Sequence, residues 1–215
     1  MEEKVEIKQQ PKTYLFWKRF FDIVLSSLAL VCFSPVFLVV FILSRFGSNK
    51  GPLFYKQVRI GWHGQSFKIY KFRSMVVNAD AILENDPELY AKYVANNYKL
   101  EPEEDPRITR LGRWLRKTSI DEIPQFLNIL RGEMSIIGPR PVVKAELSEY
   151  GDRVGKFLSV KPGAMGLWQS SGRSNIPYPE RCDVELEYVD KASLFFDTKI
   201  MFKNIISIFK SDGAY

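Results

Sequence analysis

From Ile23 to Leu43 the chain reads IVLSSLALVCFSPVFLVVFIL, with no charged side chain. About 20 apolar residues are enough for a helix to cross the hydrocarbon core of a bilayer, so this run is long enough to enter one. Pro35 lies near its middle and removes a backbone donor, while the preceding Ser34 is disfavoured in helical geometry. The run is therefore expected to break at Ser34-Pro35, where the Ser34 hydroxyl can satisfy a freed carbonyl. Lys4, Lys8, Lys12, Lys18 and Arg19 precede it, and Arg45, Lys50, Lys56 and Arg59 follow. Positive charge at both ends gives no orientation for a span, and favours a broken helix that enters and leaves on one face. A kinked span and a buried helix of a soluble core are the competing readings. A cleavable signal does not fit, because a long polar tail precedes the run and no small-residue cleavage site ends it.

A chain of 215 residues has room for one compact domain beside that element. We divide it into a polar tail (1–17), a re-entrant membrane helix (18–48) and a cytosolic catalytic domain with interfacial helices (49–215). The net charge of +6 favours an anionic partner, whether phosphate, lipid headgroup or nucleic acid. Cys32 sits in the apolar run and Cys182 in a charged segment, so a disulfide between them is not expected. With one histidine, His63, and two cysteines, zinc is all but excluded, and a metal would be held by oxygen ligands, as Mg²⁺ is.

Beyond Gly51-Pro52, the segments 53–60 and 66–73 flank a glycine-rich turn and predict a short β-hairpin. Asn78 to Leu100 reads as helix, acidic at first and then carrying Tyr90, Tyr93 and Tyr98, either as an interfacial lid or as a solvated helix. Arg107, Arg110, Arg113 and Arg116, spaced by three, fall along one helical face. Thr198 to Lys210 mixes lysines with large apolar residues, as a membrane-surface helix does, although packing on the core accounts for it almost as well. The fold class expected is α+β and mostly helical.

Thr118 to Pro124 looks like a helix start, with Ser or Thr to cap and proline in the first turn. That would put the Asp121-Glu122 carboxylates beside a positive helix end able to receive phosphate; the plain alternative is that they only offset the helix dipole. Arg140, held between Pro139 and Pro141, is stiff, and its planar fork suits two-point recognition of a phosphate. A surface salt bridge is the alternative there.

The pattern Asp121-Glu122-x-Pro124-Gln125-x-x-Asn128, followed by Gly132-x-Met134-Ser135-x-x-Gly138-Pro139-Arg140-Pro141, resembles the bacterial sugar transferases, or monotopic phosphoglycosyl transferases. Phe33-Ser34-Pro35, Tyr70-Lys71-Phe72-Arg73-Ser74-Met75, Pro162-Gly163, Gly166-Leu167-Trp168-Gln169 and Ser171-Gly172-Arg173 agree with it, from about residue 17 to the C-terminus. The resemblance implies a re-entrant helix in the bacterial inner membrane, a cytosolic site, Mg²⁺, a UDP-sugar donor and an undecaprenyl phosphate acceptor. It implies Asp121 as nucleophile, Asp121 and Glu122 at the metal, and Lys71, Arg73, Arg116, Arg140 and Arg173 on substrate phosphates. The product would start an exopolysaccharide, capsule or O-antigen, and a homo-oligomer is compatible with all of this. Where the family commonly has Arg-Pro-Gly and Gly-Arg-Asn, this chain has Lys161-Pro162-Gly163 and Gly172-Arg173-Ser174-Asn175, a departure that bears on nucleotide and sugar contacts. The tail Ser211 to Tyr215 and the insert Asn78 to Asp105 resemble the galactose branch, so galactose is the first expectation and glucose the second. The competing classes are a membrane-tethered basic binding protein and an inactive assembly scaffold. No nucleic-acid motif accompanies the basic stripe, and nucleic acid is not expected as a partner.

Overall fold

The computed structural model describes residues 10–95, 100, 103–172 and 176–210. The fold is α+β and mostly helical. In chain order the elements are α1 (Lys12–Cys32), α2 (Ser34–Leu43), β1 (Phe54–Ile60), β2 (Ser66–Phe72), α3 (Ala79–Glu84), α4 (Pro87–Ala95), α5 (Arg110–Lys117), α6 (Gln125–Arg131), β3 (Ser135–Ile137), α7 (Val154–Phe157), β4 (Gly163–Met165), α8 (Leu167–Ser171), α9 (Glu180–Lys191) and α10 (Leu194–Lys210). The predicted hairpin is β1 paired with β2, turned by Gly61-Trp62-His63-Gly64, with His63 left-handed at φ 53°.

The apolar run forms α1 and α2, bent by 52° about Phe33. No single described helix is long and apolar enough to cross a membrane, whereas this bent pair passes on length and composition. The break falls one residue earlier than Ser34-Pro35, which corrects the sequence expectation. Ser34 and Pro35 form the first turn of α2, where proline's missing N–H costs nothing and its fixed φ suits a helix start.

By contacts the chain divides into two compact units. Of the described residues, the first comprises 10–32, 56–70, 124–172 and 176–210. Its main core gathers Ile69, Ile129, Met134, Ile136, Ile137, Leu167, Tyr188 and Ile200, and a smaller cluster holds Val142, Tyr150, Phe157, Cys182 and Leu186. Strands β3 and β4 run parallel in register Ser135 to Gly163 and Ile137 to Met165. Of the described residues, the second unit comprises 33–55, 71–95, 100 and 103–123. Phe37, Phe54 and Phe72 pack within it, Phe72 lying 4.8 Å from Phe37 and 5.9 Å from Phe54 between ring centroids.

Both cysteines are free, as expected. The helix expected over Asn78 to Leu100 is two helices, α3 and α4, interrupted at Asn85-Asp86 before Pro87, and Tyr98 lies outside the described residues. Helix α10 packs part of its surface on the core, as one of the two readings of the C-terminal pattern expects. Ile200 and Asn204 are buried, while Phe195, Phe202 and Ile206 on the same helix are exposed.

Candidate active site

In the second unit, β2 ends by delivering Lys71, α5 carries Arg116 in its last turn, and a 3-10 turn at Ile120–Glu122 carries both carboxylates. Helix α5 starts cleanly because the Thr109 hydroxyl accepts the Gly112 N–H at 2.9 Å. It then stops at Ser119, which is left-handed at φ 56° and reverses the chain. This corrects the expectation of a capped α-helix start. Ser119 makes no side-chain cap, the acids sit in the 3-10 turn, and α6 begins only at Gln125 after Pro124. A helix end therefore does not explain the acidic pair; neighbouring cations do.

Lys71 Nζ donates to Glu122 Oε1 at 2.6 Å and lies 4.0 Å from Asp121 Oδ2. Arg116 Nε donates to Ser74 Oγ at 2.9 Å. Burial presses the Arg116 guanidinium down from its ordinary range, while the Asp121 carboxylate, and then Asp105, hold it up. It stays charged at any working pH. Asp121 is buried and Glu122 half-buried, so two acids of unequal exposure share the Lys71 ammonium, and Asp121 also acts on the Arg116 guanidinium. The glycine of α5 belongs to the same construction, since a Cβ at Gly112 would lie 1.8 Å from the Ser74 carbonyl oxygen. The backbone of Ser74 can thus lie directly on α5, one turn from Arg116.

The other predicted phosphate ligands fare differently. Arg73 donates to the carbonyls of Asn49 and Lys50, at 3.3 Å for the latter, and so ties down the loop before β1; it is not brought to the carboxylates. Of the predicted arginine stripe, Arg107 lies outside α5 and is buried in a two-point pair with Asp105 at 2.8 Å, while Arg110 and Arg113 are exposed. Arg173 lies outside the described residues. Among the described residues no group of three or more His, Cys, Asp or Glu side chains could hold a metal. A pair of carboxylates with room for water and substrate oxygens is nevertheless the kind of donor set Mg²⁺ uses.

Arg140 stands in the first unit, on a loop shaped by glycines. A Cβ at Gly163 would lie 2.1 Å from the Gly138 nitrogen, and one at Gly166 would lie 2.7 Å from the Gly138 carbonyl oxygen. The three glycines that recur in the sequence motifs are thus a single close backbone contact beside β3 and β4. The Arg140 N–H donates to both oxygens of Glu185, at 3.2 and 3.3 Å. Glu185 is fully buried on α9, and burial raises its carboxyl to about 7 against the charge of Arg181 and the Arg140 amide. Arg181 lies between the Trp168 and Tyr178 rings, 4.4 and 4.8 Å from their centroids, and 3.7 Å from Glu185.

Sequence reasoning missed several residues that hold this frame. Buried Asn128 accepts the Tyr70 N–H at 3.0 Å and donates to the Lys68 carbonyl at 2.8 Å, pinning α6 to β2. On α1, Asp22 accepts the Ser135 hydroxyl at 3.0 Å and the Ile136 N–H at 2.8 Å. Lys18 donates to the Ile137 carbonyl at 2.9 Å and pairs with Asp197 at 2.7 Å. Arg19 donates to the carbonyls of Ile129 and Leu130 at 2.6 and 2.7 Å, closing the C-terminus of α6. The only signal for these was polar residues at positions 18, 19 and 22 of an otherwise apolar helix, two of which had been counted as flanking charge.

Comparison with known proteins adds to this geometry. The profile described as bacterial sugar transferase matches residues 13–211. Exopolysaccharide production protein ExoY of Rhizobium meliloti is 46% identical over 202 residues, covering 92% of this chain and 88% of that protein. The undecaprenyl-phosphate galactose phosphotransferase of Salmonella typhimurium is 44% identical over 204 residues, 93% of this chain but 42% of that protein. The UDP-glucose:undecaprenyl-phosphate glucose-1-phosphate transferase of Escherichia coli is 36% identical over 206 residues, 92% and 41% respectively. The chain thus spans most of the first of these relatives and about two fifths of the other two.

Proposed function

Because this chain belongs to the bacterial sugar transferase family, we propose that it moves a sugar 1-phosphate from a UDP-sugar to undecaprenyl phosphate at a membrane surface and releases UMP. The observation that carries this reading is the Asp121-Glu122 pair at the Lys71 ammonium, with Asp121 also acting on Arg116. A protein that only bound anions would have no use for two acids among its cations.

In this reading the Asp121 carboxylate attacks the sugar-bearing phosphorus, the bond to the bridging oxygen breaks, and UMP leaves with the electron pair. An oxygen of the carrier phosphate then attacks the same phosphorus and Asp121 departs as a free carboxylate. Dividing the transfer lets donor and acceptor use the site in turn. Lys71 and Arg116 offset the charge that grows on the phosphoryl oxygens. Mg²⁺, held by Asp121 and Glu122, would add Lewis-acid stabilisation of those oxygens. Glu122 shares its carboxylate with Lys71, so the ammonium is placed to turn from the acid toward a phosphate. Arg140 is the proposed two-point phosphate ligand, with its loop held by Glu185.

The membrane reading draws support from lengths. Asp22 and Ser26 are buried in the first unit, and Val40 and Ser44 in the second. The apolar stretch between Ser26 and Val40 rises about 20 Å as helix, short of the roughly 30 Å hydrocarbon core. Exposed Leu28, Val31, Phe33, Leu38 and Val39 on that stretch suit lipid, and a shallow re-entrant course fits better than a span. Galactose is the favoured sugar, supported by the higher identity to the galactose than to the glucose enzyme among these relatives. The product would begin an exopolysaccharide, capsule or O-antigen.

The test uses donor alone. Wild type should release about one equivalent of UMP in a burst and carry the sugar phosphate on the Asp121 peptide, whereas Asp121→Asn should do neither. Release only when acceptor is present, with no adduct, would falsify the covalent route.

A further inference from the structure

Lys161 precedes Pro162, whose carbonyl accepts the Ser135 N–H at 2.8 Å, and is half-buried, yet its ammonium makes no hydrogen bond or ion pair with any described residue. Its one direct contact is the Trp62 ring, 5.2 Å away at the centroid. The cations around it are not neutralised for its benefit. Lys18 is taken by Asp197, and Asp22 is engaged with Ser135 and Ile136. Arg19 spends two of its donors on the end of α6, leaving others of its five. Burial, and then the charge of Arg19, press Lys161 down from the usual lysine range, with Asp22 opposing and Lys18 adding to the effect.

Gly132 joins the two cations. A Cβ built there would lie 3.7 Å from Arg19 Nη2 and 3.7 Å from Lys161 Nζ, so both heads face one open point above the glycine. Gly132 is left-handed at φ 81° as the cap of α6, and any side chain there would be strained as well as filling that space. Phe16, Trp17 and Phe20, within three residues of Arg19 on α1, are exposed, and Trp62 is 40% exposed. Aromatic residues at this density mark the headgroup level of a bilayer.

We propose that Lys161, Arg19 and the open space over Gly132 form a receptor for the phosphodiester of an anionic membrane phospholipid. The inference rests on the membrane reading above for its occupant. Phosphate chemistry matches two convergent cations, and the aromatic rim selects a molecule that carries its phosphate at the interface. The departure from the family's usual Arg-Pro-Gly at Lys161-Pro162-Gly163 therefore bears on lipid contact here.

The experiment uses the full chain in detergent, titrated with dihexanoyl phosphatidylglycerol below its micelle concentration and followed by tryptophan fluorescence. Saturable binding is expected, with the signal lost in Trp62→Phe. Lys161→Gln should bind at least about tenfold more weakly and Lys161→Arg nearly as well as wild type. Within the wild type alone, rising salt should weaken binding, so the charge requirement can be read even if Lys161→Gln does not fold. Equal affinity for inorganic phosphate would overturn the lipid assignment, displacement by undecaprenyl phosphate would reassign the site to the acceptor, and no saturable binding would end the proposal. Short-chain lipid needs no bilayer, so this result stands apart from any failure of the re-entrant reading.

Discussion

Arg140 and Arg73 show how differently two arginines of equal charge are used. Arg73 is spent on backbone carbonyls, whereas the Arg140 loop is fixed from behind through its own N–H, which leaves the guanidinium role to be tested directly. Arg140→Lys should lower turnover by about 10² to 10³ at normal protein yield, because an ammonium cannot make a planar two-point contact. Near-normal turnover in that variant would reduce Arg140 to a point charge or a structural residue. Glu185 gives a second expectation. Its buried carboxyl titrates near 7 in the folded chain, against an ordinary value of 4.5, so between those values the folded state keeps a proton that the unfolded chain has lost. Stability should therefore fall as pH rises from about 4.5 to 7 and level off above, by up to about 3 kcal/mol. Glu185→Gln should flatten that slope in thermal melts, and an unchanged slope would show that other groups carry it. Asp121, Glu122, Lys71, Arg116 and Arg140 could be named as candidates because they lie in or beside the motifs that carry the family resemblance. Ser74 and Asn128 stood in the motifs but without a role, and Glu185 did not stand out at all, because each serves a backbone or guanidinium group brought near only by folding.

Helix boundaries were read less well than strands. The hairpin followed from alternation and glycine punctuation, and its strands fall within a residue of expectation. The acidic pair was assigned to a capped helix because serine, threonine and proline all sat in suitable places; a left-handed Ser119 overrode them, and a single positive φ leaves no mark on periodicity. The close glycine contact at β3 and β4 gives a sharp test. Gly163→Ala would push a methyl group into the Gly138 backbone and should cost about 3 kcal/mol or more, seen as a lower melting temperature or lost yield. For α1 and α2, single cysteines at positions 10 and 50 should label from the same side of the membrane. Cys32 must be replaced first, while Cys182 is buried, with its thiol pushed up to about 11 by burial, and should react slowly. Opposite-side labelling would sink the re-entrant reading.

The net charge of +6 pointed to an anionic partner without saying which, and the fold divides that charge among several uses. Lys71 and Arg116 attend the carboxylates, Lys18 and Arg19 hold α1, and Arg107 is consumed by Asp105. Removing residues 1–33 to obtain a soluble catalytic fragment should therefore fail. It would orphan the Ser135 and Ile136 donors and strip the Asp197 carboxylate of Lys18 and Tyr14, leaving it Tyr188, and the fragment should aggregate or lack a cooperative melt. The same anchors have a consequence for biosynthesis. Asp22 meets Ser135 across 113 residues and Lys18 meets Asp197 across 179. At about 5 to 20 residues per second, α1 leaves the ribosome on the order of ten seconds before its last partner exists. During that interval its polar face has nothing to bind and its apolar face is exposed, so a targeting factor or the bilayer itself must hold the helix until the rest of the chain arrives.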